Sequence, residues 1–126
     1  KMDWDKFFDP KNISLDQPNK TIIDMTKIFK SQGFKVLIFS GRSGKTLDAT
    51  MKWLTDNGVF FNKLLMRPID KDWHFMKDSD LKQHWLHNTD IVDKDDVFAV
   101  FDDRKQVVDM WRANGLTCFQ VADGDF

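Results

Sequence analysis

The sequence predicts an α/β protein, a Rossmann-like three-layer α/β/α sandwich built on a parallel sheet. Three observations predict it. Short apolar runs alternate with segments whose apolar residues recur every three or four positions. Glycine, alone or as Asn-Gly, closes several of the helical segments. Polar residues able to do chemistry follow directly after the apolar runs. Strand and helix alternating in this way imply parallel βα units with helices on both sheet faces.

The elements are taken in order. Asp9-Pro10-Lys11-Asn12 and Gln17-Pro18-Asn19 read as turns. Ile22, Met25, Thr26 and Phe29 share one face of a helix that Gly33 ends. Phe34 to Phe39 is a buried strand, and Ser40 to Lys45 a glycine-containing turn after it. Leu47, Met51 and Leu54 mark the apolar face of a second helix, which stops at Asn57-Gly58. Lys63 to Met66 is a short strand, followed by a polar stretch from Arg67 to Lys77. Asp78 to Leu86 is a helix, and Val97 to Phe101 the most hydrophobic strand. Val107, Val108 and Trp111 form the stripe of the next helix, which stops at Asn114-Gly115. Leu116 to Val121 is the last strand.

Composition bounds the function. The 126 residues are one domain's worth, read as a single domain over 1–126. At 41% hydrophobic the chain can bury a core. No apolar run approaches membrane-spanning length, and Lys1-Met2-Asp3-Trp4 opens no signal sequence, which makes the cytoplasm the default location. No initiator Met leads it, so it reads as a fragment. The single cysteine, Cys118, excludes an internal disulfide. Every acidic residue is Asp, so acid–base chemistry falls to Asp, His or Lys. The net charge of −1 gives no support for wholesale binding along nucleic acid, but leaves open a site that grips one strand end.

Ligands of open parallel sheets bind beyond the carboxyl ends of the strands. Ser40-Gly41-Arg42, Arg67, Asp102-Asp103-Arg104 and Asp123 stand at those ends. Asp102-Asp103 is the sharpest feature. Adjacent carboxylates repel, and a hard cation such as Mg²⁺ relieves that. The plainer reading is that Asp103 caps the following helix, but a cap needs one Asp and not two. In Ser40-Gly41-Arg42 the glycine allows close backbone approach, the hydroxyl can donate to a phosphate oxygen, and the guanidinium can grip two oxygens. An ordinary strand-to-helix turn is the alternative.

Gly41-Arg42-Ser43-Gly44-Lys45-Thr46 ends like a nucleotide-binding P-loop, but the glycine required five positions before Gly44 is Phe39. Asp78 and Lys82 stand four apart, which by spacing alone reads as a surface ion pair. His74, His84 and His87 lack the partner ligands of a zinc site. Trp73 either stacks on a base or packs on its own domain. Asp3-Trp4-Asp5 follows no strand, and Asp123-Gly124-Asp125 precedes no helix, so neither reads as a nucleophile site.

Ser-Gly-Arg after one strand, Asp-Asp-Arg after a later one and an Asp-x-x-x-Lys helix between them resemble motifs of the haloacid dehalogenase superfamily. The likeness is closer to one branch, the phosphatase domain of phage-type polynucleotide kinase/3′-phosphatases. It is carried by residues 102–112, by Gln120-Val121-Ala122-Asp123-Gly124-Asp125-Phe126, and by Thr50-Met51-Lys52-Trp53-Leu54, Leu65-Met66-Arg67 and Asp3-Trp4. It runs the whole chain, is most specific in the last third, and is weak from Lys71 to Lys77.

The resemblance implies the haloacid dehalogenase fold and removal of 3′-phosphates from nucleic acid ends, DNA or RNA, through an aspartyl-phosphate. Ser40, Gly41 and Arg42 would hold the phosphate, Lys82 would stabilise it, Asp78 would orient Lys82, and Asp102 and Asp103 would bind Mg²⁺. It also implies a kinase domain upstream in the same polypeptide, a host-cytoplasm location if phage-encoded, and leaves a homo-oligomer open. The family's Asp-x-Asp-Gly-Thr segment, which carries the nucleophile, is not in the sequence and is expected upstream of Lys1 on the central strand. A small-molecule phosphatase or nucleotidase of the same fold, and a non-catalytic end-binding module, are the competing functions.

Overall fold

The computed structural model describes residues 19–125. The turns expected before Asn19 and the Asp3-Trp4-Asp5 pair lie outside the described residues. Helix α1 spans Lys20–Ser31, and the Asn19 carboxamide oxygen accepts from Ile22 N at 3.1 Å as its cap. Gly33, at φ 86°, lets the chain reverse so that Phe34 N donates to Phe29 O at 3.0 Å.

Strand β1, Leu37–Ser43, pairs in parallel with β2, Lys63–Arg67. Helix α2, Leu47–Asp56, connects them. After β2 come a short helix α3, Lys71–His74, and α4, Asp78–Leu86. Strand β3, Val100–Asp102, leads into α5, Lys105–Ala113, and returns as β4, Cys118–Gln120, parallel to β3. Among the described residues the strands form two parallel pairs, β1-β2 and β3-β4.

Alternation along β1 divides the core between two faces. Leu37 and Phe39 pack with Leu81 and Trp85 of α4 and with Val107 and Trp111 of α5. Ile38 packs with Ile23 of α1 and Leu54 of α2 on the other side. Ile22, Val36, Ala99 and Phe101 bring β3 onto the α1 side. Val100 joins the first cluster, so both strand pairs share one core.

The structure corrects several expectations. β1 starts at Leu37, three residues later than expected, and continues through Ser40-Gly41-Arg42 where a turn was expected. The β3 strand is shorter and shifted towards Asp102. Helix α2 buries Thr50 and Leu54, whereas Leu47 and Met51 are exposed. The buried face is rotated from the expected stripe and is formed by Thr50 and Leu54, with Trp53 packed beside them. Within the polar stretch from Arg67 to Lys77, to which no element was assigned, α3 forms.

Candidate phosphate-binding site

The site begins with an irregularity in β1. Ser40 is matched to Met66 and Ser43 to Arg67, so Gly41 and Arg42 are extra on the β1 side. Such a bulge re-aims the strand end. Two groups hold it. The Ser40 hydroxyl accepts from Arg42 N at 3.2 Å, and Arg67 Nε donates to Gly41 O at 2.8 Å. Glycine is required at 41 because a β-carbon there would overlap the Asp78 carboxylate.

Asp78, at the start of α4, is the centre of the site. Lys82 Nζ lies 3.3 Å from its Oδ2, Arg104 Nη1 3.6 Å from Oδ2, and Arg67 Nη2 4.0 Å from Oδ1. Three elements therefore deliver cations to one carboxylate: β2 ends in Arg67, α4 carries Lys82, and Arg104 caps α5. The Asp78 and Lys82 side chains are only 13% and 8% exposed. That overturns the surface ion pair read from spacing. The helix face they share is turned inwards by Leu81 and Trp85, which bury α4 against the core.

Lys82 also reaches Asp102 Oδ2 at 3.5 Å, linking α4 to the end of β3. Asp102 is nearly fully buried. Its Oδ1 accepts from Asp103 N at 2.9 Å and Arg104 N at 3.3 Å, and its Oδ2 from Trp111 Nε1 at 3.3 Å. These donors satisfy the oxygens of a carboxylate that burial takes away from water. Asp103 is half-buried beside it, and its carbonyl accepts from Gln120 Nε2 at 3.2 Å.

Gly41, Arg42 and Asp78 line an open cleft of about 530 Å³ together with Arg67, Lys77, Arg104, Ser43, Thr46 and Met76. Four of these carry positive charge and one negative. Arg42 Nη1 is buried there with no hydrogen-bond partner among the described residues. Ser40, Lys82 and Asp102 are buried, and Asp103 stands apart from the cleft lining. Asp123 lines a separate hollow with Lys105, Gln120, Gly124 and Asp125. There Gly124 O accepts from Lys105 N at 2.7 Å and so caps the start of α5.

Other candidates have structural employment. Gly44-Lys45-Thr46 winds into a 3-10 turn in which the Thr46 hydroxyl donates to Ser43 O at 2.8 Å. Trp73 packs on the core with its ring 5.0 Å from that of His84. His74 lies against Phe75, and His87 Nε2 pairs with Asn114 Oδ1 at 3.0 Å. The three histidines thus serve three different partners. The partnership of Trp111 with Asp102 is invisible in the sequence, because the nine-residue separation carries no motif. Arg67 had a signal, its place at a strand end, but nothing told that it would join Asp78.

A parallel α/β domain with an arginine-lined cleft at its strand ends has the build of a phosphate-handling domain. Across residues 1–126 the chain matches the family described as the polynucleotide kinase PNKP phosphatase domain. The chain belongs to that family, a branch of the haloacid dehalogenase-type phosphatase domains. It is similar to a solved structure of the Pnkp1/Rnl/Hen1 RNA repair complex, with 33% identity and a TM-score of 0.84 over 99% of this chain and 43% of the other. A second structure of a Pnkp1/Rnl/Hen1 complex gives 34% identity and 0.83, over 99% of this chain and 46% of the other. The chain spans less than half the length of these relatives. No helix among the described residues is long and apolar enough to cross a membrane.

Proposed function

We propose that this domain hydrolyses 3′-phosphomonoesters at nucleic acid ends, as the phosphatase part of a longer end-repair protein that also carries a kinase domain. The carrying observation is the cleft in which Arg42, Arg67, Lys77 and Arg104 surround Asp78. A phosphate dianion needs charge-assisted donors, and arginine offers two at once. Arg42 Nη1, without a hydrogen-bond partner among the described residues, is the kind of donor that a phosphate oxygen satisfies.

Position supports the following roles. Ser40, Gly41 and Arg42 bind the phosphate, and Lys82 stabilises charge on it. Asp78 keeps Lys82 in place at 3.3 Å. Asp102 and Asp103 offer adjacent carboxylates at a strand end, a donor set that suits Mg²⁺, which takes one or two carboxylates and completes its shell with water and phosphate oxygens. Mg²⁺ would be held by these two residues and would supply neutralisation of phosphate charge. The nucleophilic Asp-x-Asp is assigned to a strand preceding Lys1. β1 pairs only with β2 and β3 only with β4 among the described residues, so each keeps an edge for such a strand. The domain is taken as single over 1–126, working in the cytoplasm.

Phosphate release from a 3′-phosphorylated oligonucleotide, with Mg²⁺, tests the reading in the natural full-length polypeptide and in its Asp102→Asn variant. Release by the parent is expected, with a fall on the order of 10²-fold or more in the variant. No release by the folded parent would overturn the reading. Faster turnover of mononucleotides than of the oligonucleotide would assign the domain to small-molecule substrates instead.

A further inference from the structure

Phe75 is the most exposed large apolar side chain in the described structure, at 91%, against 65% for Ile69, the next. The backbone that carries it is nevertheless held firmly. The residue ends α3, and the carbonyls of Trp73 and Met76 on either side of it both accept from Arg67 Nη1, at 2.6 and 2.7 Å. Trp73 anchors the turn in the core, and the His74 ring meets Phe75 edge-on at 4.6 Å between centroids. The next two residues, Met76 and Lys77, line the cationic cleft, as does Arg67 itself.

An exposed aromatic ring on a fixed turn next in sequence to the lining of a cationic cleft matches one ligand chemistry. Nucleic acid offers a phosphate and, one sugar away, a flat base, and every base has a face that stacks. A protein partner would meet an isolated ring on a turn otherwise rich in charge, with Lys71, Asp72 and Lys77 around it. We propose that Phe75 is a stacking platform for an unpaired base near the phosphate held in the cleft. The proposal rests on the 3′-end reading and adds that the bound end is single-stranded. Because Arg67 grips both the Gly41 carbonyl at the cleft and the turn below Phe75, phosphate and base sites are set by one guanidinium. The turn that carries the ring is thereby fixed before the ligand arrives, which lowers the cost of stacking.

The test is a cycle of affinities measured by fluorescence anisotropy in the full-length polypeptide. The probe is a 5′-fluorescein single-stranded oligonucleotide with a 3′-phosphate, in EDTA, either complete or lacking its last two bases. Phe75→Ala should weaken the complete probe about 5- to 100-fold. Removing the bases should weaken the parent similarly and the variant no further. Phe75→Trp should restore binding, whereas Phe75→Leu should not. Equal affinity of parent and Phe75→Ala overturns the proposal, and so does a loss that persists undiminished on the base-free probe. Loss of self-association in Phe75→Ala with unchanged affinity for the probe would assign the ring to a contact between copies, and overturns it too. Phosphate release by the parent with Mg²⁺ is scored separately. Its absence counts against the phosphatase reading, and the affinity cycle alone decides the stacking claim.

Discussion

Four Lys–Asp ion pairs among the described residues join positions four apart on helices, and their surroundings divide them. Lys20–Asp24, Lys52–Asp56 and Lys105–Asp109 close to 2.8, 2.6 and 2.8 Å on exposed faces. Asp78–Lys82 is looser, at 3.3 Å, yet buried. The shorter contacts are the weaker evidence. Water screens the exposed pairs, and their long side chains lose entropy to meet. The buried pair is one part of a network with Arg67, Arg104 and Asp102, where each charge depends on the others. Order along the helix differs as well. In the three exposed pairs Lys precedes Asp, the less favourable direction for the helix dipole, whereas Asp78 precedes Lys82.

The largest effect should come from Asp78. Asp78→Asn keeps the shape and leaves three cations around a neutral group. Breaking a buried pair in this way costs about 3–5 kcal/mol. Urea denaturation should show a lower midpoint with the slope little changed. A midpoint equal to the parent's would mean that the network contributes no more than the exposed pairs, and the contrast between the two kinds would collapse.

Gly41→Ala sharpens the contrast by disturbing the network without removing a charge. The new methyl group must displace the Asp78 carboxylate. A stability loss of about 1–3 kcal/mol is expected from the crowding. Turnover should fall more steeply, on the order of 10²-fold, because a displaced Asp78 misplaces Lys82 and both arginines. Full turnover in a folded variant would show that Asp78 does not position the cleft.

The smallest effect belongs to the exposed pairs. The hydrogen bond from Lys20 holds the Asp24 carboxyl below its ordinary range. A depressed folded value means that its stabilisation is present above the unfolded value and is lost as pH falls through the folded one. A carboxylate-carbon NMR titration should show that depression. Asp24→Asn should leave the denaturation midpoint at neutral pH unchanged within error; a clear drop would promote this pair to the class of Asp78.

Much of the architecture was legible. Val107, Val108 and Trp111 formed the buried stripe of α5 as their spacing required, and Ile22 and Thr26 that of α1. The ends of β1, β2 and β3 carried the cleft's arginines where a parallel sheet puts its ligands. The bulge at Gly41-Arg42 was not legible, since it exists only relative to the β2 register. Nor was the inward turn of Asp78 and Lys82, because an i,i+4 pair looks the same on either side of a helix.

Local sequence determined which segments are helix and strand and which polar residues follow each strand. Apolar periodicity and glycine stops act within a few residues and need no partner. Only the tertiary structure decided that Asp78, Arg67, Arg104 and Asp102 form one network, that Trp111 serves Asp102, and that Trp73 is packed while Phe75 is displayed. Those outcomes depend on the packing of α4 and α5 against the strands. A charge's energy depends on its burial and on neighbours brought from distant parts of the chain.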